Sequence, residues 1–210
     1  MGERRRWFTV GVASVAARLS PAAAGLPDPD AMVLQIEDLP GFQLRQTFHQ
    51  RTGMADRGTS WADRVRVRRG RSTRAYFERE SADLTSIASM AIPLVDRPDA
   101  EAAFAIVPER LLTNPDPGVH VLARETVGTA GAPGERATAY RLSSENLAYP
   151  SMEVEGFVLA WLQGQVVALL MTGGQVGDWT LLEVVRLAHV QDRRITEELA
   201  RFAAAAPDRR

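Results

Sequence analysis

Apolar and polar positions alternate along much of the chain. From Phe42 to His49, Phe42, Leu44, Gln46 and Phe48 face away from Gln43, Arg45, Thr47 and His49, the period of a strand. Upstream, Met32 to Ile36 reads as the start of a first strand, followed by the turn residues Asp38-Leu39-Pro40-Gly41. Residues 50–59 are polar and loop-like. The Arg-rich stretch Asp63 to Arg74 supports two readings. Val65 and Val67 alternate with Arg64, Arg66 and Arg68, as in a strand. Alternatively Ser60 caps a short helix, Trp61 and Val65 share its face, and Gly70 ends it, a reading the cap residues favour. Strands are expected over Ala75 to Glu80 and Leu84 to Val95.

Asp96-Arg97-Pro98-Asp99 opens a helix, with an Asp cap and Pro in the first turn; Pro108 is expected to break it. Val119 to Val127 and Ala137 to Leu142 read as strands around a Gly/Pro-rich turn. Gly156 to Leu162 and Val166 to Thr172 are apolar on both faces and join near Gln163-Gly164-Gln165, which marks a central hairpin covered on two sides. A long helix over Thr180 to Phe202 closes the chain, opened by the capping box Thr180-Leu181-Leu182-Glu183. Trp161, Leu169 and Leu199 are the expected core. Together these elements predict an α+β class: a mostly antiparallel sheet with packed helices.

The N-terminus follows another logic. Residues 1–24 run from a basic start through a short apolar stretch, Phe8 to Ala17, to Ala22-Ala23-Ala24, an A-x-A cleavage pattern. Arg5, Arg6 and Phe8 resemble the twin-arginine export motif, and Ala22 and Ala24 set the expected cleavage. Ten residues are too few to span a bilayer as a helix. The expected organisation is a signal segment over 1–24, a spacer and possible first strand over 25–37, mobile over Gly25 to Ala31, one α+β domain over 38–202 and a frayed tail over 203–210.

Composition narrows the chemistry. The 210 residues include no Cys, which excludes disulfides, thiolate nucleophiles, Cys-ligated metals and a lipidated Cys. All 25 basic residues are Arg, so Schiff-base and phosphate-loop lysines are excluded; a high-GC bacterial genome explains the bias. Cleavage after Ala24 removes four Arg and one Glu and leaves a formal charge of −4, a poor match to nucleic-acid binding.

Asp38-Leu39-Pro40-Gly41-Phe42, the strand–helix Leu84 to Leu112, the apolar hairpin, and a closing helix carrying Leu187-Ala188-His189-Val190-Gln191-Asp192-Arg193-Arg194-Ile195 resemble a group of exported bacterial proteins. Their fold is similar to the Mog1/PsbP α/β/α sandwich, which some envelope lipoproteins also use. The resemblance is one of layout from Asp38 to Phe202. It implies a fold and a location, and no single activity. The missing Cys departs from the lipoprotein members.

Individual motifs point to structure more than to chemistry. Gly173-Gly174-Gln175-Val176-Gly177 sits where a dinucleotide loop would, but it follows a hairpin strand and reads as a flexible connector, so no cofactor is expected. His49, His120 and His189 are far apart, with no metal-ligand spacing. Glu153 and Glu155 share a strand face, as acid/base pairs can, and read as solvated charges. The Arg cluster reads as a solvated face balanced by Glu78, Glu80 and Asp83; Arg66, Arg69 and Arg71 are the positions that would hold an anion. The sequence thus suggests an exported, non-catalytic domain that binds a ligand or protein in the cell envelope. The alternatives are an exported hydrolase using Asp, Glu or His, and an accessory subunit of an envelope complex.

Overall fold

The computed structural model describes residues 25–52, 70–80, 85–113, 119–146 and 149–205. Residues 1–24, over which a signal segment is expected, and residues 53–69, where the helix-or-strand question of the Arg cluster lies, are outside them.

The described residues form one seven-stranded sheet and three helices, an α+β architecture. The strands are β1 (Phe42–Thr52), β2 (Gly70–Arg79), β3 (Ser86–Pro93), β4 (Val119–Val127), β5 (Arg136–Asn146), β6 (Tyr149–Gln163) and β7 (Val166–Gln175). Their order is β1-β2-β3-β7-β6-β5-β4, and every pairing is antiparallel. After β3 the chain crosses to the far edge through helix α2 (Arg97–Thr113), then returns to the centre by successive hairpins. Helices α1 (Pro29–Met32) and α3 (Leu181–Ala205) pack together and against the sheet.

The central strand β7 separates two cores. Val166, Ala168 and Leu170 face a cluster containing Met32, Phe77, Trp161, Val184, Ala188 and Ile195. Val167 and Leu169 face the opposite cluster, with Ala100, Ala103 and Phe104 of α2. The two-sided apolar pattern of the hairpin is therefore filled by helices on both faces. Trp161 and Leu169 are fully buried. Leu199 is only partly buried, because it packs at the margin of the core where the β6–β7 turn passes.

Both edge strands carry a register shift, between Leu44 and Gln46 in β1 and between Val121 and Ala123 in β4. Such bulges, with the charges of Arg45, Arg124 and Glu125 beside them, blunt sheet edges against pairing with other chains.

Several expectations are corrected. Met32 to Ile36 is no strand. Asp28 caps α1 by accepting from the Asp30 N–H, Pro29 presets its first turn, and a 3-10 turn follows at Ile36–Asp38. Nor is Gly25 to Ala31 a mobile spacer throughout, since Pro27 and Pro29 are buried and Asp28 and Asp30 are held by hydrogen bonds. Pro108 lies buried inside α2 instead of breaking it, so burial of this stretch of the helix outweighs the lost helical hydrogen bond. β2 begins at Gly70, upstream of Ala75, so Gly70 opens a strand. The glycine-rich connector is also ordered: Gly173, Gly174 and Gln175 continue β7, and the reversal comes at Gly177, whose φ is +91°. Residues 203–205, expected in a frayed tail, belong to α3, which runs through Ala205; residues 206–210 lie outside the described residues.

Candidate functional site

Register builds the main polar constellation. β1 pairs His49 with Thr73 of β2, on the sheet face that carries α1. The Asp28 cap then sets Asp30 over that pair. His49 Nδ1 lies 3.3 Å from Thr73 Oγ1 and 3.2 Å from Asp30 Oδ1, and the Thr73 hydroxyl donates to Asp30. A hydroxyl, an imidazole and a carboxylate are the components of a hydrolytic triad. Their arrangement differs in two respects. A nucleophilic hydroxyl passes its proton to His, whereas Thr73 donates to Asp30, and Thr73 has no solvent-exposed surface. The trio fastens the N-terminal segment to the β1–β2 hairpin.

The same segment is held elsewhere by buried polar contacts. Ser89 Oγ accepts from the Leu34 N–H at 2.9 Å and donates to Gln191 Oε1 at 2.8 Å, while Gln191 Nε2 donates to the Met90 carbonyl at 2.9 Å. The Asp28 N–H donates to Glu198 Oε1 at 3.1 Å, and Arg194 forms a two-pronged pair with Asp38 at 2.8 and 3.0 Å.

The histidines do not converge. His49 and His120 lie on β1 and β4, opposite edges of the sheet. His189 is exposed on α3, with Nε2 at 2.7 Å from the Gly131 carbonyl in the β4–β5 turn. One turn further along α3, Asp192 accepts from Trp161 Nε1 at 2.9 Å. Burial raises the Asp192 carboxyl above its ordinary range, opposed by that hydrogen bond and by His189. No cluster of three or more His, Cys, Asp or Glu suited to a metal occurs among the described residues.

Glu153 and Glu155 do share a face of β6, and β5 engages both. Arg141 pairs with Glu155 at 2.7 Å, and Ser143 donates to Glu153 at 3.0 Å. Two further carboxylates, Glu109 and Glu135, tie α2 to its neighbours. Arg97 pairs with Glu101 and Glu135, and Glu135 also accepts from the Gly164 N–H. Arg124 and Tyr140 both donate to Glu109, at 2.7 and 3.0 Å. The Arg124 contact and then Tyr140 hold Glu109 below the usual carboxylate range. Arg97 followed by the Gly164 N–H does the same for Glu135. Burial pushes the Tyr76 phenol well above its ordinary value.

Of the positions expected to hold an anion, Arg66 and Arg69 lie outside the described residues, as do Arg5, Arg6, Phe8, Ala22 and Ala24. Arg71 is placed on β2 directly opposite Arg51 of β1. Sequence reasoning missed Asp30, Thr73, Ser89 and Gln191. The only local signal for any of them was the cap-and-proline pair Asp28-Pro29.

No protein-family model and no curated protein matches the chain. A solved structure of an uncharacterised Mycobacterium smegmatis protein is similar at a TM-score of 0.42 and 10% identity, over 82% of this chain and 99% of that one.

Proposed function

We propose that the protein is an exported, non-catalytic ligand- or protein-binding domain of a bacterial cell envelope. The observation that carries this reading is the order of the first 24 residues: Arg5, Arg6 and Phe8, a short apolar run, then Ala22 and Ala24. No helix among the described residues is long and apolar enough to cross a membrane. The engagement of the polar trio in fastening α1, and of Glu153 and Glu155 by β5, supports a binding role over a hydrolytic one. The test is intact-mass analysis of protein recovered from the native host's envelope or medium. Export predicts a chain beginning at Gly25, and retention in the cytoplasm when Arg5 and Arg6 are both replaced by Gln. Intact Met1 on most molecules, with unchanged fractionation of the double variant, overturns the reading.

A further inference from the structure

We propose that the groove beneath residues 27–34 is a peptide-binding site, which the chain fills with its own segment until a partner's extended peptide displaces it. The proposal names a partner class for the binding role above and rests on that reading. The groove lies between α3 and strands β2 and β3. Four polar side chains in it are nine-tenths buried or more: Thr73, Ser89, Gln191 and Glu198. Apolar residues would fill such positions at less cost, because every buried polar atom needs a partner. Here the segment supplies the partners. The Leu34 N–H donates to Ser89 Oγ at 2.9 Å, which Gln191 orients, and the Asp28 N–H donates to Glu198 Oε1 at 3.1 Å. The Thr73 hydroxyl donates to Asp30, and His49 lies 3.2 Å from the same carboxylate. Met32 and Leu34 are buried in the apolar cluster that holds Phe77, Ile87 and Ile195.

The segment adds no strand to the sheet, so lifting it leaves all seven strands paired. Its root stays fixed, since Asp38 pairs with Arg194 and Leu39 is buried. Between Leu34 and Asp38 stand Gln35, Ile36 and Glu37, none of them buried. Ser89 and Glu198 grip main-chain N–H groups, which any non-proline residue offers; the contacts to Asp30, Met32 and Leu34 read side chains. The matching peptide therefore carries an acid with apolar residues two and four positions after it. A second copy's segment makes the same contacts without the tether, so it has no advantage over the resident one. A partner peptide gains by also meeting edge strand β1, whose residues 44–47 are exposed beside β2.

The full 210-residue chain is titrated into a fluorescein-labelled peptide of its residues 26–36 and followed by fluorescence anisotropy. Apparent affinity scales with the fraction of chains whose groove is open. Met32→Ala in the chain loosens the resident segment and leaves every groove side chain in place, so it should tighten peptide binding by about tenfold or more. A peptide carrying Met32→Asp and Leu34→Asp should bind neither protein. Far-UV circular dichroism checks the fold of the variant. Hydrogen exchange gives a second reading on the wild type alone. An isotope-labelled peptide at about twice its apparent Kd should speed exchange of the resident Asp28 and Leu34 amides by about threefold. Equal affinity for the two folded proteins, or unchanged exchange, overturns the groove as a peptide site. The export reading is judged by intact mass and stands or falls separately. A dimer on light scattering without peptide, lost in Met32→Ala, would assign the groove to a second copy and overturn the partner peptide.

Discussion

The Ser89–Gln191 pair is the sharpest place to test how the N-terminal segment is held. Both side chains are fully buried, and together they join Leu34, β3 and α3. Ser89→Ala changes volume little, so cavity formation contributes little. It leaves the buried Leu34 N–H and Gln191 Oε1 without that partner, at about 1–3 kcal/mol each, for a total loss of about 2–5 kcal/mol. Gln191→Leu keeps the size and strands the Met90 carbonyl and the Ser89 hydroxyl; the hydroxyl can rotate, so the loss is about 1–3 kcal/mol. The double variant removes Gln191 Oε1 and the Ser89 hydroxyl together and strands only the Leu34 N–H and the Met90 carbonyl. It should therefore cost less than the sum of the singles, by about 1–2 kcal/mol. Urea unfolding at pH 7 and 25 °C, followed by far-UV circular dichroism, reads all four proteins. With a slope of about 2 kcal/mol per molar urea, Ser89→Ala moves the midpoint down by about 1–2.5 M. A Ser89→Ala loss below about 0.5 kcal/mol, the scale of ordinary surface changes, or strict additivity of the two singles, would refute the network.

Gly156→Ala should be among the most damaging single-methyl additions, because a Cβ there would sit 2.0 Å from the Thr172 carbonyl oxygen, fixed in the neighbouring strand. A loss of about 3 kcal/mol or failure to fold is expected by urea unfolding, and a wild-type midpoint refutes it. Asp192 is more readily protonated in the fold than in the unfolded chain, so its stabilising contribution is complete below the unfolded carboxyl value and lost as pH rises through the folded one. Asp192→Asn keeps an acceptor for Trp161 Nε1 and should raise the urea midpoint at pH 7, by a margin that shrinks toward pH ~4; a margin that grows on acidification contradicts this. The solvated-face reading of the Arg cluster predicts that replacing Arg66, Arg69 and Arg71 together by Gln leaves the midpoint nearly unchanged, since solvated charge pairs contribute only about 0–1 kcal/mol each. Low-salt binding of an anionic envelope polymer that the triple variant loses would instead identify the cluster as a site.

The parts of the fold that sequence revealed are those set by local periodicity and by short-range caps. β7 carries apolar residues on both faces because helices cover it twice, and the unbroken run from Val166 to Leu170 records that directly. The opening of α3 was readable because its capping box is complete within four residues: Glu183 accepts from the Thr180 N–H at 2.8 Å and from the Thr180 hydroxyl at 2.7 Å. Pro108 and Gly174 were misread for a common reason. Each sits in an element whose placement overrides its local preference: Pro108 is buried within α2, and Gly174 stands where the Asp178 side chain occupies the Cβ position while its carboxylate accepts from distant Thr85 and from the Gln175 N–H.

The constellation at the sheet end was beyond local reading because each of its contacts joins distant residues. Asp30 meets Thr73 across 43 positions, Ser89 meets Gln191 across 102, and Asp28 meets Glu198 across 170. None of these contacts exists until β1 and β2 pair in register and α3 folds back over the sheet. The segment that supplies the acids, Gly25-Leu26-Pro27-Asp28-Pro29-Asp30, has the composition of a linker, yet its prolines and aspartates each have a second use. The prolines that discourage regular structure also preset a helix start and bury well, and the aspartates that solvate a loop also cap a helix and grip a neighbouring strand. A Pro/Asp stretch therefore fixes little on its own. What decides between tether and core is whether the fold offers partners for its N–H groups and carboxylates, and here Glu198, Thr73, His49 and Ser89 supply them.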